Sequence, residues 1–217
     1  MRIRNTTTVL IAVALLCGCS GADPECFRSI TFGYSLEDFS PSSRSTLASD
    51  GIEDRIESVS LFIYHNDRLI FSDYKTGDFN GMKAELENSW EYDIYALINM
   101  GDMRGAMPSD KSSEPLSDLT WNIPSYRHID EEGMPMAGRL EGFEAGKDNP
   151  TITLKRLFAK VCIDIGFEYE GATVREVRIQ NLNGALRPFG ISCASTSSSI
   201  MADIESDGGS GTYVFYV

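Results

Sequence analysis

Cys19 is the residue whose neighbours give it a defined chemistry. It closes the run Leu16-Cys17-Gly18-Cys19, which follows Arg2, Arg4 and the apolar stretch Val9 to Leu16. A basic head, a short apolar middle and a small residue at the cut, Gly18, make a cleavable export signal. The apolar run is too short to span a bilayer. With cysteine directly after the cut, the thiol takes a diacylglycerol before cleavage and the new amine an acyl chain, the pattern of a bacterial lipoprotein. Each buried CH₂ contributes about 0.8 kcal/mol, so several chains on one residue anchor stably where one is marginal. The alternative is an ordinary secretory signal with an incidental Cys19.

Other candidate chemistry is sparse. Of the two histidines, His65 falls in a hairpin turn and His128 in a loop, without metal-ligand spacing, and both read as solvated turn residues. Glu131-Glu132 could be offered as a glycosidase acid pair, but with 32 acids in the chain such pairs arise by chance. Gly208-Gly209-Ser210-Gly211 resembles a phosphate cradle, yet no helix or lysine follows it, so it reads as a linker. No nucleophile elbow or dinucleotide fingerprint occurs. The sequence therefore points to no catalytic residue, no metal and no cofactor. Trp90 and the tyrosines after it could stack on sugars, but their alternation reads first as core.

Removing residues 1–18 takes away two arginines and no acid, so the net charge moves from −13 to −15. A chain this acidic has no electrostatic footprint for nucleic acid. It is also repelled by an anionic membrane surface, which leaves anchoring to the lipid. After cleavage Cys26, Cys162 and Cys193 remain besides Cys19. Cys26 sits in the tether, so Cys162–Cys193 is the one pairing to consider, against the preferred reading of three inert packing residues.

The elements are β. Ile30, Phe32, Tyr34 and Leu36 alternate with polar or small residues as one half-buried strand. Ser40 to Thr46 is loop by composition. Val59, Leu61, Ile63 and Leu69-Ile70-Phe71 flank Asn66-Asp67 as a hairpin. Trp90 to Asn99 is apolar on both faces, which suggests a central strand packed on two sides or one edge of a sandwich core. Residues 101–120 read as a long loop with one helical turn, and 133–138 as a second punctuated stretch. Ile152 to Ile165 reads as one long strand whose buried parity switches between Leu154 and Leu157, which requires a bulge or a domain-crossing kink near Lys155-Arg156. Val174, Val177 and Ile179 make another strand. Residues 195–199 and 207–211 read as flexible loops. The terminal run Thr212 to Val217 is strongly β-prone, and an open strand of that kind invites pairing. It suggests a chain continuing further or a strand that pairs with another molecule. With one short helix at Gly51 to Glu57, the expectation is an all-β antiparallel sandwich.

Four segments in order resemble the fimbrillin (Mfa-like) family of Bacteroidales surface lipoproteins: Val59 to Tyr64, Tyr95 to Asp102, Gly133 to Gly138, and Ile152 to Val161. The resemblance implies transthyretin-like antiparallel β-sandwich domains: a signal peptide at 1–18, a lipidated tether at 19–26, an N-terminal sandwich over 27–150 and a second, incomplete one over 151–217. It implies a structural and adhesive component of surface fimbriae, not an enzyme, carried to the outer membrane by its lipid. Its partners would be other fimbrial subunits through strand exchange, and a host or bacterial surface ligand. In polymerising members an Arg-specific protease removes the lipidated end with the first strand, and a neighbour's strand fills the groove. By position Ile30 to Leu36 is the displaced strand and Arg44 the processing site, with Arg55 in reserve. The rival reading is a glycan-capturing surface lipoprotein, which requires exposed aromatics, Trp90 and Trp121 among them, on a concave face.

Overall fold

The computed structural model describes residues 27–37, 51–77, 82–124, 128–146, 148–166, 176–182, 184–190, 200–205 and 211–216. The strands in chain order are β1 (Phe27–Thr31), β2 (Gly33–Leu36), β3 (Ser58–His65), β4 (Arg68–Thr76), β5 (Lys83–Glu87), β6 (Glu91–Ile98), β7 (Trp121–Asn122), β8 (Met136–Glu144), β9 (Thr151–Arg156), β10 (Lys160–Ile165), β11 (Glu176–Leu182), β12 (Ala185–Leu186), β13 (Ile200–Glu205) and β14 (Gly211–Tyr216). One short helix, α1 (His128–Glu132), lies before β8.

The main sheet has the order β2-β9-β8-β6-β3-β4. Every pair in it is antiparallel, as expected of the sandwich, except β2 with β9, which is parallel. Alternation along its central strands sends side chains to two cores. Val59, Leu61 and Ile63 of β3 and Ile94, Ala96 and Ile98 of β6 face one core, which the β1–β5 ribbon covers with Ile30, Ala84 and Leu86. Phe62, Tyr64, Tyr95 and Leu97 face the other, which is covered by Met100, Met103, Met107, Leu116 and Trp121 from the long loop. This two-sided burial makes Trp90 to Asn99 the central strand its composition suggested.

The β3–β4 hairpin turns on Asn66 and Asp67, whose φ angles of 48° and 65° are those of a two-residue turn matched to strand twist. The loop after β6 docks on this hairpin tip: Leu69 N donates to Ser109 O, and Lys111 N to Asp67 O, both at 2.9 Å. Its one helical turn is the 3-10 turn Leu116–Asp118.

Several expected elements are corrected. The strand expected over Ile30 to Leu36 is two strands, because Phe32 breaks the ladder and β1 and β2 pair in different sheets. The long strand expected over Ile152 to Ile165 is also two. The parity switch is resolved as a gap over residues 157–159, after which β10 leaves the main sheet and pairs with β14. The terminal run therefore pairs with β10 of the same chain, as one of the two strands of a separate sheet. The expected helix at Gly51 to Glu57 is only a 3-10 turn, Ile52–Asp54. The stretch 133–138 ends inside β8, where Gly138 must lack a side chain: a Cβ there would sit 2.7 Å from Thr153 O of the neighbouring strand. β11 pairs with β13 across a register shift. Cys162 lies in β10, half-buried, with a free thiol.

Candidate assembly surface

The β1–β2 segment is shared between two sheets. Ile30 and Phe32 are essentially wholly buried, whereas Phe27 at the start of β1 is 46% exposed. The ladder changes partner at Phe32. Its N–H donates to Met82 O at 3.1 Å on the β5 side, and the next N–H, of Gly33, donates to Pro150 O at 2.9 Å on the β9 side. Glu37 N closes the far end on Leu154 O at 2.9 Å. Two side chains secure the first half: Asn149 Oδ1 accepts from Thr31 N at 3.1 Å, and Arg28 donates to Gly146 O at 3.3 Å. The segment is thus held by backbone pairing on both flanks and by apolar plugs between them.

The residues following this segment are tied down by Asn99. Its side chain is fully buried and its hydrogen-bonding capacity is filled. Oδ1 accepts from Glu57 N at 2.8 Å and Ser58 N at 3.2 Å, while Nδ2 donates to Arg55 O at 2.7 Å and Met134 O at 2.9 Å. Its backbone carbonyl accepts from His128 Nε2 at 2.7 Å, and its φ of 57° is one that Asn tolerates. Gly133, at φ 83°, leaves room for the amide, since a Cβ there would lie 2.5 Å from Asn99 Nδ2. Gly133→Ala should therefore lower the thermal midpoint, by crowding the amide and by straining the backbone.

The sequence-derived candidates distribute as follows. Gly18, Cys19, Cys26, Arg44, Cys193, the Ser-rich loops and residues 207–210 of the Gly-rich loop lie outside the described residues, while Gly211 begins β14. At Arg55, the reserve processing site, Asn99 holds the carbonyl and the guanidinium pairs with Glu57 at 2.8 Å. His128 is not a solvated loop residue: it starts α1, bonds to Asn99 and meets Trp121 edge-on at 5.2 Å. His65 likewise stacks on Trp90 at 4.1 Å and bonds to Glu91 O. Glu131 and Glu132 are exposed on α1. Trp121 is buried and donates to Met100 O at 3.1 Å, and Tyr92 and Tyr95 are core, so Trp90, 39% exposed, stands without them as a surface aromatic. Among the described residues no group of three or more His, Cys, Asp or Glu could hold a metal, and no helix is long and apolar enough to cross a membrane.

Sequence reasoning missed Asn99 as a hub and Lys111 as a clamp. Lys111 Nζ pairs with Asp93, lies 3.5 Å from Asp67, and sits over the rings of Tyr64 and Tyr95 at 5.8 and 5.7 Å. Burial pulls its pKa down, but bonding to Asp93 and the charges around it win, and the net shift is upward. The only sequence cue was a lysine inside a loop otherwise rich in Gly and Pro.

Burial raises the pKa of Tyr34, Tyr64, Tyr92 and Tyr95, with nearby Asp73 adding to the effect at Tyr34. A raised folded-state pKa favours the native state only while the phenol is protonated. That stabilisation is complete below the ordinary value of 10.0 and is lost as pH climbs beyond it. Stability should thus fall steeply above about pH 10, and phenolate absorbance should appear together with unfolding. Ionisation of these tyrosines in a still-folded chain would contradict the assignment.

No protein-family model matches the sequence, and no curated protein matches it. Solved structures do. A fimbrial assembly protein from Parabacteroides distasonis ATCC 8503 matches with a TM-score of 0.50 at 13% identity, over 88% of this chain and 77% of that one. A Bacteroides eggerthii DSM 20697 protein assigned to cell adhesion matches with a TM-score of 0.53 at 11% identity, over 88% and 69%. A second Parabacteroides distasonis protein, also assigned to cell adhesion, gives 0.50 at 11% identity over the same shares. The chain therefore shares the all-β sandwich fold of these Bacteroidales fimbrial and adhesion proteins.

Proposed function

We propose that this chain is a structural, adhesive component of cell-surface fimbriae, exported as a lipoprotein on Cys19 and joined to other subunits by strand addition. The observation that carries the reading is the β1–β2 segment, which belongs to two sheets at once and plugs the core with Ile30 and Phe32. The fold likeness to fimbrial proteins supports it. Cleavage at Arg44 would detach the lipidated end together with this segment. The groove left behind carries unpaired backbone groups on β5 and β9, which a neighbouring subunit's strand then satisfies.

Digestion of the exported protein with a trypsin-like protease should cut at Arg44 and convert monomer into a ladder on non-denaturing gels. A cut product that remains monomeric would refute polymerisation. The outer-membrane anchor has its own test. Cys19→Ser should move the protein from the membrane fraction to the periplasm or medium, because no acyl chain then holds it. Unchanged fractionation would dismiss the lipid.

A further inference from the structure

A cleft of about 470 Å³ lies where the ends of β8 and β9 meet the turn at residues 187–190. Its lining is unlike the rest of this chain. Four of the 19 lysines and arginines gather there (Arg139, Lys155, Arg156 and Arg187), and no acid lines it. Parity brings Arg139 and Lys155 together, whereas Arg156 has the parity of Ile152 and Leu154 and reaches the cleft from the end of β9. Ala137 of β8 faces the Tyr95 core, so Arg139 shares that side of the sheet, and Thr153 and Lys155 of β9 share it too, opposite to the buried Ile152 and Leu154. Phe189, edge-on to Tyr95 at 5.1 Å, and Pro188 form an apolar wall.

The cations are unequally engaged. Arg156 is held by Asp54 and by Glu53 O. Arg139 and Lys155 are 62% and 70% exposed, and their nearest carboxylates, Glu141 and Glu37, are each 3.7 Å away, too far for a direct hydrogen bond. Arg187 Nε is buried with no hydrogen-bond partner among the described residues. Nε itself is closed to any ligand, so Arg187, half-buried and lining the cleft, can meet an oxyanion only through its terminal nitrogens.

We propose that this cleft binds the carboxylate of an acidic sugar, with Arg187 and Arg139 on the carboxylate, Thr153 and exposed backbone on ring hydroxyls, and Phe189 and Pro188 against the ring. The volume suits a saccharide unit better than a lone side-chain carboxylate. The mixture of cations, hydroxyl and apolar wall matches the mixed surface of a sugar acid, whereas a bare anion would use the cations alone. In a chain of net charge −13 the site also provides the local attraction that the overall charge denies. The inference goes beyond the assembly reading and does not require it.

The test is calorimetric or NMR titration of the intact monomeric chain with glucuronate, glucose and N-acetylglutamate. Glucuronate should bind in the millimolar range, weaken with added salt, and lose roughly tenfold in affinity in Arg187→Gln. Because Arg187 is partly buried, the exposed double variant Arg139→Gln/Lys155→Gln serves beside it and should lose a similar factor while keeping the wild-type melting temperature. Glucose should not bind. No glucuronate binding, equal binding in the double variant, or tighter binding of N-acetylglutamate than of glucuronate would each overturn the proposal.

Discussion

A chain that begins at Ser45 is expected to run as oligomers and to lose monomer stability outright. The deletion removes Ile30 and Phe32, both essentially wholly buried. Burying a side chain of this size contributes roughly 1.5–3 kcal/mol, before any cavity cost. With the ladders to β5 and β9 gone as well, the loss should be about 5 kcal/mol or more, on the scale of a whole domain's stability. A synthetic peptide covering residues 27–37, added in excess, should occupy the groove and restore monomer on size exclusion. The same peptide with Ile30→Asp should fail, since an unpaired carboxylate would enter the core. A truncated chain that stays monomeric with an unchanged melting temperature would show that the segment is ornamental.

Asn99→Ala should cost about 3 kcal/mol, because four backbone groups lose their partner at once in a buried site. For a chain of this size that is roughly a 6–12 °C fall in melting temperature. Asn99→Gly separates two causes. Glycine accepts the φ of 57° freely, so a comparable loss would assign the effect to the amide and not to backbone strain. Asn99→Asp keeps the Oδ1 acceptor but loses both donated bonds, and should fall at least as far as Ala. Variants within about 0.5 kcal/mol of wild type would dismiss the hub.

Local patterns were legible where a local rule fixed the outcome. Asn66-Asp67 announces the hairpin because few residues accept two successive positive φ angles, and β6 announces itself as central because both of its faces are apolar. The parity switch after Leu154 announced a bulge or a domain-crossing kink, and the chain does change sheets just beyond it. The change of sheet at Phe32 left no trace, because apolar alternation continues through it undisturbed and only the hydrogen-bond partners differ. The basic cleft was illegible for a different reason: Arg139, Lys155 and Arg187 are far apart in sequence, and only folding gathers them. Asn99 was visible as one residue of the run Tyr95 to Asp102, but a hub is defined by what reaches it, and its partners come from residues 55–58 and 134.

β2 runs alongside β9 in the same direction, while β1 opposes β5. If subunits join by strand addition as proposed, a donor that takes their place in the same pairing has one permitted heading. Passed from one subunit to the next, such a joint closes into a ring or runs on as a filament according to its rotation. A filament would then have distinguishable ends, one offering a vacant slot and the other a spare strand.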